Sequence, residues 1–462
     1  MKSKEILFLV LFSLLYIDCF AKDRIAISSS SEAECIAVAN SKSNRLRELS
    51  LQYSKKSSEL SFGGFLPSVD FNFNESDSIK TQAYDTHSKT IAISLRQLIF
   101  DGGKTKLTYD FNKATSFYEL KEFEQELNSY KLEISNQYFE CLLLLKKIEI
   151  EENLERNAEL ELQIIKTEYE LDEVLENDYL KYFINVKKIK DQTKQTKRDY
   201  KKALTKLKIS LGYSKDVDFF LESEAINEND FPRYLEEKLE KLWNVCQRNN
   251  LSIKKNRMSL YYSQKQDEFS KRYFLPQVYF EGGIHFSGTD YPLTQPSYSA
   301  KIKVDFLNNT LIPVSFSNGY EIKDKKVCGV NNSVDFSVKG QPQYFADKKK
   351  NELNLRYSRV QFGENLNVLY EKLYEKTADY DDLIDNLERL KETEQLEERN
   401  LLVSRESVNR GEIKRLDYLE ELEEHAKTLT EILQSKIKLK NLIREIEIFI
   451  NVQSGGLREC IL

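Results

Sequence analysis

Three histidines, His87, His285 and His425, are all that this chain offers for imidazole chemistry, and they stand in three unrelated contexts. No two have the spacing of metal ligands or of a general base and its partner, so neither a metal site nor a hydrolytic site is expected. Gly102-Gly103-Lys104-Thr105 has the residue types of a phosphate loop. The first glycine of that motif would fall on Leu98 and the loop itself is absent, so a nucleotide site is rejected. Beyond Cys19, the cysteines at 35, 141, 246, 328 and 460 are scattered, odd in number and without a CxxC pair. They read as buried or idle thiols rather than a disulfide framework or metal site. The many carboxylates lie on charged helical stretches, where solvation explains them. Nothing here proposes an enzyme, a cofactor or a metal.

The elements that frame these residues are more telling. Phe65-Leu66-Pro67-Ser68-Val69-Asp70-Phe71 returns as Phe274-Leu275-Pro276-Gln277-Val278-Tyr279-Phe280. Each copy opens a short alternating strand and leads into a long charged helical run, which marks an internal duplication. The 462 residues hold only 15 Gly and 7 Pro against 31% charged residues, a balance that favours long helices over loops. A net charge of -6 argues against nucleic acid as a partner.

Lys2 and Lys4 precede the apolar run 6–17, and Cys19-Phe20-Ala21 fits an export-signal cleavage site. A lipid anchor on Cys19 is the alternative, which Tyr16 and Asp18 fit poorly. No later stretch approaches the ~20 apolar residues of a membrane-spanning helix. Boundaries follow: 1–21 signal peptide, 22–212 first repeat (helix, two strands, long helical pair), 213–231 acidic connector, 232–452 second repeat with an insertion at 308–342, and 453–462 a flexible tail.

Residues 31–60 predict a helix, with Ser31 as cap and Glu34 at the capping-box position. Val69, Phe71 and Phe73 alternate with polar residues, as do Ile91, Ile93 and Leu95. Val278, Phe280, Ile284 and Phe286 repeat the pattern, followed by Tyr298, Ala300, Ile302, Val304 and Phe306. Each segment is close to the ~9–11 residues of a tilted membrane strand, although a half-buried strand of a soluble sandwich looks much the same. In the insertion, Asn318-Gly319 and Asn331-Asn332 are turn signals between short alternating runs, which suggests an added hairpin. Phe123, Leu127, Tyr130, Ile134, Cys141, Leu145 and Ile148, then Leu373, Tyr380, Leu383, Leu387 and Leu390, and Ile443, Ile446 and Ile450, keep spacings of three, four or seven, the seams of a coiled coil. Two antiparallel arms of ~50 residues would each reach about 75 Å.

Four features together resemble the TolC-like outer-membrane efflux proteins. They are the repeated Leu-Pro-x-Val openings at Leu66 and Leu275, the strand-to-helix junction Leu98-Ile99-Phe100-Asp101-Gly102-Gly103, the close of a helical repeat at Leu211-Gly212, and the turn at Gly411-Glu412-Ile413-Lys414-Arg415-Leu416-Asp417-Tyr418-Leu419-Glu420. The resemblance covers nearly the whole mature chain. It implies an α+β membrane protein: long antiparallel coiled-coil helices forming an α-barrel, plus four β-strands per chain contributing to a trimeric transmembrane β-barrel.

It further implies an exit duct of a tripartite efflux or type I secretion system, placed in the outer membrane with a periplasmic helical extension. Its partners would be two further copies of itself, outer-membrane lipid, a periplasmic adaptor and an inner-membrane transporter. By the same likeness Asp417 and Glu420 narrow the entrance. Leu171, Asp172, Val174, Leu175, Asp178, Gly411, Ile413, Lys414, Arg415 and Leu416 form the tip that meets the adaptor. Asp70, Arg96, Glu281, His285, Lys301 and Lys303 would line the barrel lumen. Asp178 matches Asp417, but Asp172 stands where Gly411 stands, so the first tip is expected to differ in shape. A periplasmic coiled-coil scaffold or adaptor without a channel uses the same helices and is the rival reading.

Overall fold

The computed structural model describes residues 25–78, 86–213, 219–222, 231–271, 275–293, 296–306, 314–336 and 343–461. The export signal, most of the acidic connector and Phe274 of the second strand opening lie outside them. In chain order the elements are β1 (Ile25–Ile27), α1 (Ser30–Asn40), α2 (Lys42–Leu60), β2 (Ser68–Ser78), β3 (Thr86–Phe100), α3 (Lys104–Glu170), α4 (Glu176–Ser210), β4 (Phe219–Leu221), α5 (Leu239–Asn249) and α6 (Leu251–Lys271). There follow β5 (Gln277–Gly288), β6 (Pro296–Phe306), β7 (Val314–Lys323), β8 (Lys326–Phe336), α7 (Gln343–Asn409), α8 (Arg415–Ile450) and α9 (Leu457–Ile461). The described residues divide into two compact units, one drawn from 25–46, 125–245 and 372–461, the other from 47–124 and 246–371.

The duplication is written into the element lengths. α3 and α7 each run 67 residues, and α4 and α8 run 35 and 36. The distance between copies is 209 residues at Leu66 and Leu275 and 239 at Lys104 and Gln343, so the second copy gains 30 residues between its opening strand and its long helix. The helical arms are thus unequal, not the expected matched pair of ~50 residues, because the turn at Asp172 falls late.

In the helical unit part of each seam is buried, while Tyr130, Leu145, Leu383, Leu390 and Ile443 are half-buried. Ile134 and Cys141 are buried with Tyr138, Phe139, Leu207 and Leu211. Leu373, Tyr380, Leu387, Ile446 and Ile450 are buried too. Burial of such side chains, at ~25 cal/mol per Å² of apolar surface, is what holds long helices of modest intrinsic stability. β1 and β4 form a small parallel pair, with Ile27 opposite Leu221 inside the same core. That pair was invisible in the acidic connector, where only Phe219-Phe220-Leu221 stands out.

Two local expectations are corrected. The cap of α1 is Ser29, whose side chain accepts from the Glu32 amide, not Ser31. Glu34 is spent on an ion pair with Arg444, 2.7 Å away. The tail after Val452 is not loose: α9 buries Leu457 and Ile461, and the buried Glu447 carboxylate accepts from the amides of Gly455 and Leu457.

The second unit holds one antiparallel sheet in the order β2-β3-β5-β6-β7-β8. The four expected strands are present, and the insertion adds two more to the same sheet, which therefore has six strands rather than four. The inserted hairpin turns at Asp324-Lys325, both with positive φ as a two-residue hairpin loop demands. Asn318-Gly319 and Asn331-Asn332 are not turns but lie mid-strand, and Asn318 Nδ2 donates to Asn332 Oδ1 at 2.8 Å across the pair.

Candidate functional site

Each half of the helical unit ends its long helix in the same way. At the first turn, Asp172 N–H donates to Tyr169 O and Glu173 N–H to Glu168 O. At the second, Gly411 N–H donates to Val408 O and Glu412 N–H to Ser407 O. Both are Schellman turns, which need a left-handed residue after the helix. Asp172 has φ 60 and Gly411 φ 77. The expectation that aspartate would reshape the first tip is therefore corrected: aspartate is among the few residues that tolerate this conformation, and the turn is retained. The following helix starts match as well, with Leu175 at φ -68, ψ 141 and Lys414 at φ -71, ψ 142.

The tip residues then separate into two sets. Leu171 and Leu175 are 64% and 74% exposed, and Asp172, Gly411 and Lys414 are exposed beside them. Val174 and Leu416 instead turn inward against Ile165, Tyr182 and Leu419. Burial pushes the Tyr182 hydroxyl well above the usual phenol range. Arg415, expected on the contact surface, is also turned inward, with its side chain only 15% exposed. Its guanidinium bridges Glu168, at 2.8 Å, and Glu161, two acids seven residues apart on α3. Lys414 Nζ lies 3.3 Å from Asp178 Oδ2, a second and more exposed link between the two turns. A cleft of about 390 Å³ lies between the turns, bordered by Glu173, Val174, Ile413 and Lys414.

Asp417 and Glu420 are exposed on the first two turns of α8, and neither makes an ion pair among the described residues. One turn further, the Glu423 carboxyl is pushed up, first by burial and then by the charge of Glu420, with Lys188 acting the other way. Three carboxylates at 417, 420 and 423 thus follow one stripe of the helix.

The sequence reading missed Glu161 and Glu168. It also missed how far the two turns agree: Glu173, Val174, Asp178, Tyr179 and Leu180 recur as Glu412, Ile413, Asp417, Tyr418 and Leu419, always 239 residues apart. That offset was the available signal.

In the sheet unit, Asp101 holds the junction between β3 and α3. Its carboxylate accepts from the amides of Gly103 and Thr105 and from the Thr105 hydroxyl. The amides that a phosphate would need are taken by the chain itself, while Gly102 and Gly103, both at positive φ, let the backbone turn.

The sheet has two faces of opposite character. Cross-strand registers carry one apolar row from Phe71 through Ile93 and Ile284 to Tyr298 and Ile322. Another runs from Phe280 through Ile302, Asn318 and Asn332. A third joins Val304, Phe316 and Val334. The other face brings together Asp70, Arg96, Glu281, His285, Lys301 and Lys303. There Arg96 Nε is 3.4 Å from Glu281 and its guanidinium lies over the Tyr279 ring, Lys301 stands opposite Glu281, and His285 bonds Ser299 at 3.1 Å.

Exposure is inverted relative to a soluble sheet. Along β7, Ser315, Ser317 and Gly319 are buried while Phe316, Asn318 and Tyr320 are exposed. Phe71, Ile302, Val330, Val334 and Phe336 are 75%, 51%, 54%, 60% and 71% exposed. Among the described residues no helix is long and apolar enough to cross a membrane.

A duplicated pair of long helices joined to an antiparallel sheet with its apolar face outward defines the TolC-like outer-membrane channel fold, and this chain has that fold. It is similar over 92% of its length to the Campylobacter jejuni CmeC outer membrane channel, with TM-score 0.69, 15% identity and 86% of that chain covered. It is similar to CusC, a transmembrane channel, with TM-score 0.71, 12% identity and 92% of each chain covered. The Vibrio cholerae outer membrane protein VceC matches with TM-score 0.70 and 11% identity, over 92% of this chain and 96% of that one. No protein-family model and no curated protein sequence matches the chain.

Proposed function

We propose that this chain is the exit duct of a tripartite efflux or type I secretion system: a homotrimer in the outer membrane with a periplasmic helical extension. It conducts drugs, toxins or proteins passively from an inner-membrane transporter, joined through a periplasmic adaptor. The observation that carries this reading is the inverted sheet. A face of Phe, Ile, Val and Tyr turned outward, backed by Asp, Arg, Glu, His and Lys, costs free energy in water and gains it when the apolar side meets lipid. A periplasmic scaffold leaves that face unexplained.

In this reading Asp70, Arg96, Glu281, His285, Lys301 and Lys303 line the aqueous lumen. Leu171, Asp172, Leu175, Gly411, Ile413 and Lys414 offer the adaptor a surface, and Val174, Arg415 and Leu416 hold its shape. Asp178 and Lys414 tie the two turns. Asp417 and Glu420 become rings of three carboxylates at the entrance, which attract cations and repel anions. The test is single-channel recording in planar bilayers. Asp417→Ala combined with Glu420→Ala should raise conductance and weaken block by divalent cations. Unchanged conductance and block would remove these residues from the entrance.

A further inference from the structure

The inserted hairpin changes the wall, not only the loops. We propose that β8 of one copy pairs with β2 of the next, so that three copies close an eighteen-stranded wall instead of the twelve strands that four per chain would give. The inference rests on the trimeric duct reading and adds to it the seam and the size of the pore.

Four observations carry it. First, β7 pairs with β6 along ten residue positions, from Phe306 opposite Val314 to Ser297 opposite Lys323. The hairpin is therefore a continuation of the sheet, and leaving β6 as the edge would break that ladder. Second, β7 and β8 span 10 and 11 residues, as β6 spans 11 and β5 12. At ~3.3 Å per residue and ~40° tilt each crosses about 25 Å, the height of the apolar band of a membrane barrel. A hairpin lying over the mouth has no reason to match that length.

Third, the hairpin keeps the polarity of the sheet. Phe316, Tyr320, Val330 and Val334 continue the apolar face, and Ser315, Ser317, Ser333 and Asp335 the polar one. The two asparagines on the apolar face, Asn318 and Asn332, bond each other, as lipid requires of polar side chains. Fourth, β2 and β8 are the two ends of the sheet, each with an unpaired row of main-chain donors and acceptors. In a six-stranded antiparallel sheet the end strands run in opposite directions, so β8 meets β2 of the next copy antiparallel, and the ring closes on itself. With Val69, Phe71 and Phe73 on β2 and Val330, Val334 and Phe336 on β8, apolar meets apolar across the seam.

The consequence is width. At ~4.8 Å between strands and ~40° tilt, twelve strands enclose a backbone circle of about 24 Å and eighteen one of about 36 Å. The cross-section more than doubles.

Electron cryo-microscopy of the full mature chain in lipid nanodiscs tests this directly by counting strands. Eighteen, with β8 against β2, is the expected result. A trimer whose wall has twelve strands, closed between β6 and β2 with the hairpin outside it, overturns the inference and leaves the duct intact. A particle with no trimeric barrel overturns the duct reading itself. A variant lacking residues 310–339 gives a second measure: if it still forms trimers, the largest polyethylene glycol admitted from the barrel side should fall in diameter by about a third. An unchanged size limit contradicts the wider wall.

Discussion

Asp172 and Gly411 hold the same left-handed position 239 residues apart, one in each half of the chain, and each closes a 67-residue helix with the same pair of main-chain bonds. One turn meets that demand with glycine. The other meets it with an aspartate, at a backbone cost of about 1 kcal/mol.

The two turns should therefore respond in opposite senses. Asp172→Gly relieves the conformation and should slow local opening by about 0.5 kcal/mol, read as hydrogen exchange at the Glu173 amide. Gly411→Ala has room for its methyl group but not the backbone preference, and should speed exchange at the Glu412 amide by about 1 kcal/mol. Equal responses would mean that the turns are not equivalent.

Arg415 is expected to be the residue that keeps the second turn against α3. A double-mutant cycle of Arg415→Ala with Glu168→Ala should show a coupling of about 1–2 kcal/mol, since the pair is bidentate and largely shielded. Arg415→Lys should recover less than half, because one ammonium cannot serve both Glu161 and Glu168. A coupling near zero would reduce Arg415 to a solvated surface pair.

The two faces of the sheet should differ sharply in tolerance. Ile302→Arg places a charge on the outward face and should cost about 2–4 kcal/mol of folding into lipid vesicles. Thr90→Arg, on the polar face opposite Asn74, should cost little. Comparable losses at both sites would contradict the assignment of the faces.

Burial of Glu447 should make the folded state less stable as the pH rises. Burial pushes the Glu447 carboxyl above the ordinary carboxylate range, while the amides of Gly455 and Leu457 pull it back. The folded state thus keeps a proton that the unfolded chain releases. This contribution to folding stability is whole below the ordinary carboxylate value and falls as the pH climbs through the raised one. Glu447→Gln keeps an acceptor oxygen for both amides and cannot ionise, so its folding stability, followed by thermal unfolding, should lack that slope over the window. The same slope in both proteins would place the titration elsewhere.

Much of this architecture was legible in the sequence because it rests on periodicity. Phe71 with Phe73 and Phe280 with Ile302 announce strands, and Leu373, Tyr380 and Leu387 announce a helical seam, since burial on one face fixes their spacing. Fine placement was less legible. Asn318-Gly319 has the composition of a hairpin turn, yet pairing in the sheet overrides local preference, and the turn went to Asp324-Lys325. The pair β1 with β4 joins residues almost two hundred positions apart, which no local pattern reports. At the tip, the spacing that marks Gly411 and Asp417 says nothing about which way Arg415 points. Its direction is set by Glu161 and Glu168 on another helix.

The central claim is that the outward apolar face of the sheet is buried in lipid by three copies of the chain joined edge to edge. Light scattering coupled to size exclusion, with and without detergent, measures that most directly. The purified mature chain should leave solution when detergent is removed and should have the mass of three polypeptides when detergent is present. A stable monomer in plain buffer would contradict it.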